Sequence, residues 1–178
     1  MTAPNESLVA EHKLIERMLR LVKAELKKMG DSNNVNAVFI NDAVDFMSNF
    51  VLNFHTGKEE SVFIPQIRKK QLSKPHRNIL DELLKEHSWE KDVITKLAKD
   101  RGKFIQGNND VIPEIMGLLG ELVDYFPKHF HKEDNRFFED ILDYFSAEEQ
   151  EKLSSEINDF ERNFIRNVYT TKLAGLEK

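Results

Sequence analysis

Residues 40–62, INDAVDFMSNFVLNFHTGKEESV, carry one stripe of apolar residues that runs straight into a histidine and a glutamate: Ile40, Val44, Met47, Val51, His55, Glu59 and Val62. Spacings of three and four place these side chains on one face of a helix. A buried face that ends in His55 and Glu59 has to find partners for both, because an unpaired carboxylate inside a protein costs several kcal/mol or gives up its charge. The stretch therefore implies a helix packed in a bundle and a polar site within that packing.

The rest of the chain repeats the pattern. A first helix is predicted over about residues 6–29, with Leu8, His12, Ile15, Leu19, Val22 and Leu26 inward and Gly30 ending it. The second spans about 35–71, with Gly57 and Pro65 as kinking positions. A third begins near Pro75 and ends near Gly102, its stripe being Leu80, Leu83, His87, Glu90, Ile94 and Leu97. The fourth covers about 110–144 through Ile115, Leu118, Leu122, His129, Glu133 and Phe137, with a bend at Pro127. Ser146 and Glu149 have capping-box spacing and open a fifth helix through Leu153, Ile157, Phe160, Phe164 and Val168. No strand-like alternation competes. The expected fold is all-α: an up-down four-helix bundle over about residues 6–145 with an additional C-terminal helix at about 146–171, one domain in residues 1–178.

Composition narrows the chemistry. Net charge is −5 with acids and bases interspersed, which disfavours nucleic acid as a partner. Cysteine is absent, so a metal would be held by histidine nitrogen and carboxylate oxygen. The opening residues lack the apolar core of a signal peptide and no segment reaches membrane-spanning length, so a cytoplasmic protein is expected.

Four of the six histidines lie in the apolar stripes. Any one of them could be a core histidine satisfied by a backbone carbonyl; one on each of four helices, two with a glutamate four residues on, is harder to explain by packing. His55–Glu59 and His129–Glu133 each place both side chains on one helix face, and two such pairs on neighbouring helices can converge on metal ions, each glutamate bridging two. The chain also repeats itself. His55-Thr56-Gly57-Lys58-Glu59-Glu60-Ser61-Val62-Phe63 aligns with His129-Phe130-His131-Lys132-Glu133-Asp134-Asn135-Arg136-Phe137, and Glu11-His12 recurs as Glu86-His87. Two hairpins with one ligand layout suggest a pseudo-two-fold site. Bland alternatives stand beside this: Glu59 and Glu133 could pair with Lys58 and Lys132 on a solvated face, and Phe46, Phe50, Phe54, Phe63, Phe130 and Phe137 serve any core. Glu60 and Asp134 read as exposed, His76 as exposed, Glu16 as surface, and Tyr125 as packing. Glu90 reads as a neighbour of the site or a further ligand. His131 faces away from His129 unless Pro127 distorts the turn.

These segments (Glu11-His12, HTGKEESVFIP from His55, LLKEH ending at His87, and HFHKEDNRFF from His129) resemble the hemerythrin-like, HHE-type cation-binding family over most of residues 6–165. The resemblance implies a four-helix bundle with a carboxylate-bridged, non-haem centre of two iron ions. It implies His12, His55, His87 and His129 as nitrogen ligands and Glu59 and Glu133 as bridges. The chain departs from the oxygen-carrying hemerythrins at Lys91, where they carry a further histidine, and Thr56 stands where some relatives have a second histidine. Five-histidine ligation is therefore not supported. Zinc and manganese fit the same donors. The order His-then-Glu also differs from the Glu-x-x-His of ferritin-like diiron bundles.

Three functions remain open at this level. The first is binding or sensing of dioxygen, nitric oxide or peroxide; the second is enzymatic reduction of peroxide or nitric oxide. The third is iron handling for repair of iron–sulfur centres. Oligomeric state, redox partner and enzymatic status are unknown from the sequence.

Overall fold

A computed structural model describes residues 3–32, 34–162 and 166–177, and among these every regular element is helical. Helix α1, Glu6–Ser32, runs past Gly30, whose surroundings are open and whose conformation is helical. Helix α2 occupies residues 37–67. Asn36 caps it, its side chain accepting from the Phe39 N–H at 3.1 Å.

The interior of α2 is not the regular α-helix that was expected. It is α-helical over Ala37–Asp45, π-helical over Phe46–Thr56 and Glu59–Phe63, and α-helical again over Ile64–Ile67. Gly57 is not a break, since it keeps φ −60 and its N–H reaches the Leu52 carbonyl five residues back. Pro65 lies in the closing α segment, directly after the π-helical turns, and the helix runs on to Ile67. Such widened turns favour functional positions, because they re-aim side chains relative to a regular helix. Here they carry His55 and Glu59.

Helix α3, Lys74–Ile105, is capped by Ser73, carries Pro75 in its first turn, and continues a turn beyond Gly102. The chain reverses at Gly107, whose φ of 93 suits a residue without Cβ. Helix α4, Ile112–Arg136, contains Pro127 without ending there. It stops earlier than expected, at Phe137 (φ −133, ψ −62), and short turns at Phe138–Ile141 and Leu142–Tyr144 follow. Helix α5, Ala147–Glu161, opens on the Ser146/Glu149 capping box. A further helix, α6, Arg166–Leu176, follows. The C-terminal part is thus two helices where one was expected. Val168 is 61% exposed, and α6 turns Tyr169 and Leu173 inward instead. Phe164 lies outside the described residues.

Helices α1 to α4 close a ring, α1 packing on α2 and α4, and α3 on α2 and α4. Two apolar cores fill it. One includes Ile15, Val22, Met47, Phe50, Val51, Ile94, Leu122 and Phe126, with Tyr169 and Leu173 of α6. The other includes Leu8, Phe63, Leu80, Leu83, Phe137 and Phe138, with Leu153 and Ile157 of α5. Each stripe passes from one core to the other through a polar position, His12, His55 with Glu59, His87, or His129 with Glu133. These positions form a polar layer across the bundle. Among the described residues, no helix is long and apolar enough to cross a membrane.

Candidate metal centre

The polar layer gathers His12, His55, Glu59, His87, His129 and Glu133, each at most 2% exposed. Their ligand-type atoms form two groups: His12, His55, Glu59 and Glu133 in one, and His87, His129 and Glu133 in the other, with the atoms within each group no more than 4.8 Å apart. All four histidines point Nε2 inward.

The two carboxylates address both groups with different oxygens. Glu133 Oε2 lies 3.2 Å from His12 Nε2, while its Oε1 lies 3.3 Å from His129 Nε2 and 3.6 Å from His87 Nε2. Glu59 Oε1 lies 3.7 Å from His55 Nε2 and its Oε2 lies 3.3 Å from His87 Nε2. Neither oxygen of Glu59, Oε2 of Glu133, nor Nε2 of His87 has a hydrogen bond among the described residues. These are close contacts without hydrogen-bond geometry at the atoms named. Buried groups so arranged fit one or two cations between them, which would meet both oxygens of each glutamate.

The outward face of every imidazole is also occupied by acid. His12 Nδ1 meets Asp134 at 2.8 Å, His55 Nδ1 meets Glu11 at 3.0 Å, His87 Nδ1 lies 3.4 Å from Glu60, and His129 Nδ1 meets Glu86 at 2.8 Å. A carboxylate there fixes ring orientation and keeps Nε2 available. Glu60 and Asp134, expected as free surface acids, are in fact partners of His87 and His12, although Glu60 remains half exposed. Glu11 and Glu86 repeat the arrangement, and each also accepts from a lysine at 2.5 Å, Lys58 and Lys132 respectively. Neither lysine pairs with Glu59 or Glu133, as a solvated-face reading of those glutamates required. Lys58 is fully buried and donates also to Glu161 of α5 at 2.7 Å and to Ser7 at 3.3 Å. The sequence signal for this outer ring was the duplicated E-H and K-E-acid pattern itself.

The remaining candidates separate clearly. Glu90 is 1% exposed and accepts from the Thr56 hydroxyl at 2.8 Å. His131 is exposed beside Asn135 and stands outside the site; Pro127 does not turn it inward. His76 is only partly exposed, since its Nδ1 meets the Tyr144 hydroxyl at 2.9 Å. Tyr125 stacks on His129 with ring centroids 5.2 Å apart.

Electrostatics of the metal-free chain follow from this crowding. Burial works against charge on His12, but its hydrogen bond to Asp134 and the nearby Glu133 carboxylate outweigh that and push it up to about 10. For His55 burial wins over Glu11, and the ring is pulled down to about 4. Burial and the neighbouring charge of Glu133 push the Glu59 carboxyl well up. Glu133 is held down, the surrounding histidines overcoming its burial. Two carboxylates this close in an apolar frame cannot both ionise without added positive charge. A bound cation would add such charge.

Neither the curated proteins nor the solved structures gave a match to this chain. The hemerythrin HHE cation binding domain matches residues 3–109, a span that holds His12, His55, Glu59 and His87 and stops short of His129 and Glu133. The latter two, expected from the internal repeat, lie beyond the matched span and are buried in the layer in pseudo-symmetric places. On this match, with an all-helical bundle around a buried His/Glu cluster, the chain belongs to the hemerythrin HHE cation-binding family.

Proposed function

We propose that this single domain holds two non-haem iron ions and uses them to bind dioxygen, nitric oxide or peroxide. His12 and His55 hold one ion, His87 and His129 the other, and Glu59 and Glu133 bridge. The observation that carries this reading is the division of labour within each glutamate, one oxygen toward each histidine pair. A site for one ion has no use for such a split. Nitrogen and oxygen donors without sulfur suit iron, and family membership favours it over zinc or manganese.

When bound, the metal pair supplies redox-active coordination positions open to a small ligand. The chain's own residues do the rest. Asp134, Glu11 and Glu86 hold three of the rings by hydrogen bonds that favour a tautomer with Nε2 free for metal, and Glu60 lies 3.4 Å from Nδ1 of the fourth. Phe130 lies stacked on His12 at 4.0 Å and excludes water from that side. His87 lines a cavity of about 230 Å³ with Thr56, Glu60 and Lys91, and His129 lines another of about 390 Å³ with Trp89 and Tyr125. Either is wide enough for a diatomic molecule.

The test is metal analysis with a visible spectrum on protein purified anaerobically from iron-replete cells and then oxidised. Two irons per chain with near-ultraviolet oxo-bridge absorption is the expected result. One zinc per chain, or an intact fold that takes up no metal, overturns the proposal. Reversible spectral change on adding nitric oxide identifies a binder, whereas sustained turnover with a chemical reductant identifies a reductase.

A further inference from the structure

The two repeats carry the same histidines, bridging glutamates and lysines, but beside these ligands they differ at two buried places where one repeat is polar and the other apolar. In the repeat, Thr56 corresponds to Phe130, and Glu90, three residues after His87, corresponds to Ile15, three after His12. Between α1 and α4 the pair is apolar: Ile15 is fully buried, and Phe130 lies flat on the His12 ring. Between α2 and α3 it is polar, the Thr56 hydroxyl donating to Glu90 Oε1 at 2.8 Å. The second oxygen of Glu90 is buried and has no hydrogen-bond partner among the described residues. On α3, residues three apart share a face, so Glu90 stands one turn from His87 on the side of the metal layer.

A buried carboxylate with one oxygen anchored and the other bare is a costly arrangement in an apolar bundle. Pinning by Thr56 restricts the carboxylate and leaves Oε2 free to meet a cation in the polar layer. Nothing comparable exists at Ile15.

Resting on the diiron reading above, we propose that Glu90 is an additional oxygen donor to the ion held by His87 and His129, making the two metal positions chemically inequivalent. The ion held by His12 and His55 keeps only its histidines and the bridging carboxylates. Thr56 is a positioning residue: it sets the Glu90 carboxylate and does not reach the metal.

The experiment is Mössbauer spectroscopy of protein loaded with ⁵⁷Fe, with iron counted on the same samples. Wild type should give two quadrupole doublets of equal area. Glu90→Gln should keep two irons and move one doublet while the other stays in place. The double variant Thr56→Phe, Glu90→Ile, which copies the apolar pair, should bring the two doublets together. Thr56→Val, a smaller change that keeps the volume, should broaden or shift the same doublet as Glu90→Gln. A single doublet in wild type overturns the inference, and so do Glu90→Gln and Thr56→Val spectra superimposable on wild type. Fewer than two irons per wild-type chain would instead sink the diiron reading itself, an outcome the iron count separates from the others.

Discussion

Lys58 and Lys132 occupy matching places in the duplicated site, and replacing each by methionine should have very different consequences. Lys58 is 0% exposed, as is its partner Glu11, and Nζ also bonds Glu161. Lys58→Met leaves Glu11 buried with His55 as its remaining partner; His55 first and the lysine second hold its carboxyl below the usual range against burial, and the second support is lost. Removing one member of a buried pair costs about 3–5 kcal/mol. The Lys132 side chain is 16% exposed and Glu86 29%, and Glu82, also bonded to Lys132, is 57% exposed. Water can solvate what Lys132→Met leaves behind, so about 1 kcal/mol or less is expected. In a chain of this size the first change should lower Tm by roughly 10 °C and the second by a few degrees at most. Thermal and urea denaturation of both variants, metal-free and metal-loaded, measures the difference. Adding Glu11→Gln to Lys58→Met should recover part of the loss, since the fully buried carboxylate is then gone and only the partly exposed Glu161 has lost its lysine. Equal effects of the two lysine variants, or no recovery in the double variant, would refute the claim that burial rather than pairing sets the cost.

Glu133→Ala removes the carboxylate that addresses both histidine pairs and should reduce metal content well below that of wild type, as metal analysis of folded protein would reveal; full occupancy would rule out Glu133 as a ligand. In the metal-free chain, stability should peak near neutral-acidic pH. The folded His12 stays protonated up to about 10 against 6.5 unfolded, so its contribution, complete below 6.5, is lost as pH rises toward 10. Folded His55 refuses a proton until about 4, so its contribution fades as pH falls from 6.5 toward 4. Denaturant titrations across pH with a chelator present test this, and a flat profile contradicts it. Ser146→Ala deletes the α5 cap and should cost about 1 kcal/mol by the same titration; an unchanged midpoint would mean that α5 is held by packing alone. Gly57→Ala should be neutral or stabilising by about 0.5 kcal/mol, because a Cβ there meets only the Leu52 carbonyl at 3.5 Å in ordinary contact; loss of metal binding would contradict that.

Much of the bundle and the inward site residues could be read in the sequence because each inward position obeys the helical stripe, and the stripe is a direct image of burial. His12, His55, His87 and His129 sit where leucines would otherwise be, so their placement followed from the same rule that found the core. The outer acids were less legible. Glu60 and Asp134 lie off the stripe, and only their distance to another helix's histidine, not their own spacing, gives them a role. The burial of Lys58 was invisible for a similar reason: it depends on α5 covering that side, a contact between residues more than a hundred apart. The π-helical stretch did leave a trace. Phe46, Phe50 and Phe54, and Met47, Val51, His55 and Glu59, recur strictly every four residues, a longer period than an α-helix supports. Helix ends were misplaced at Gly30 and Gly102 because glycine permits an end without requiring one, and nothing beside either forced the chain to turn.

The polar layer between the two apolar cores also bears on how the molecule comes apart. A bundle whose core is continuous transmits the loss of one contact along its whole length and melts as a unit. This one has a seam of charge across its middle, where like-charged carboxylates repel unless something positive lies between them. Filled, the seam rivets four helices at one level; stripped, it becomes the plane along which cooperativity divides. The end containing Leu8, Phe63, Leu83 and Phe137 could then open while the end containing Val22, Met47 and Leu122 holds, so that loss of metal would register first as local exchange of backbone amides on one side of the seam.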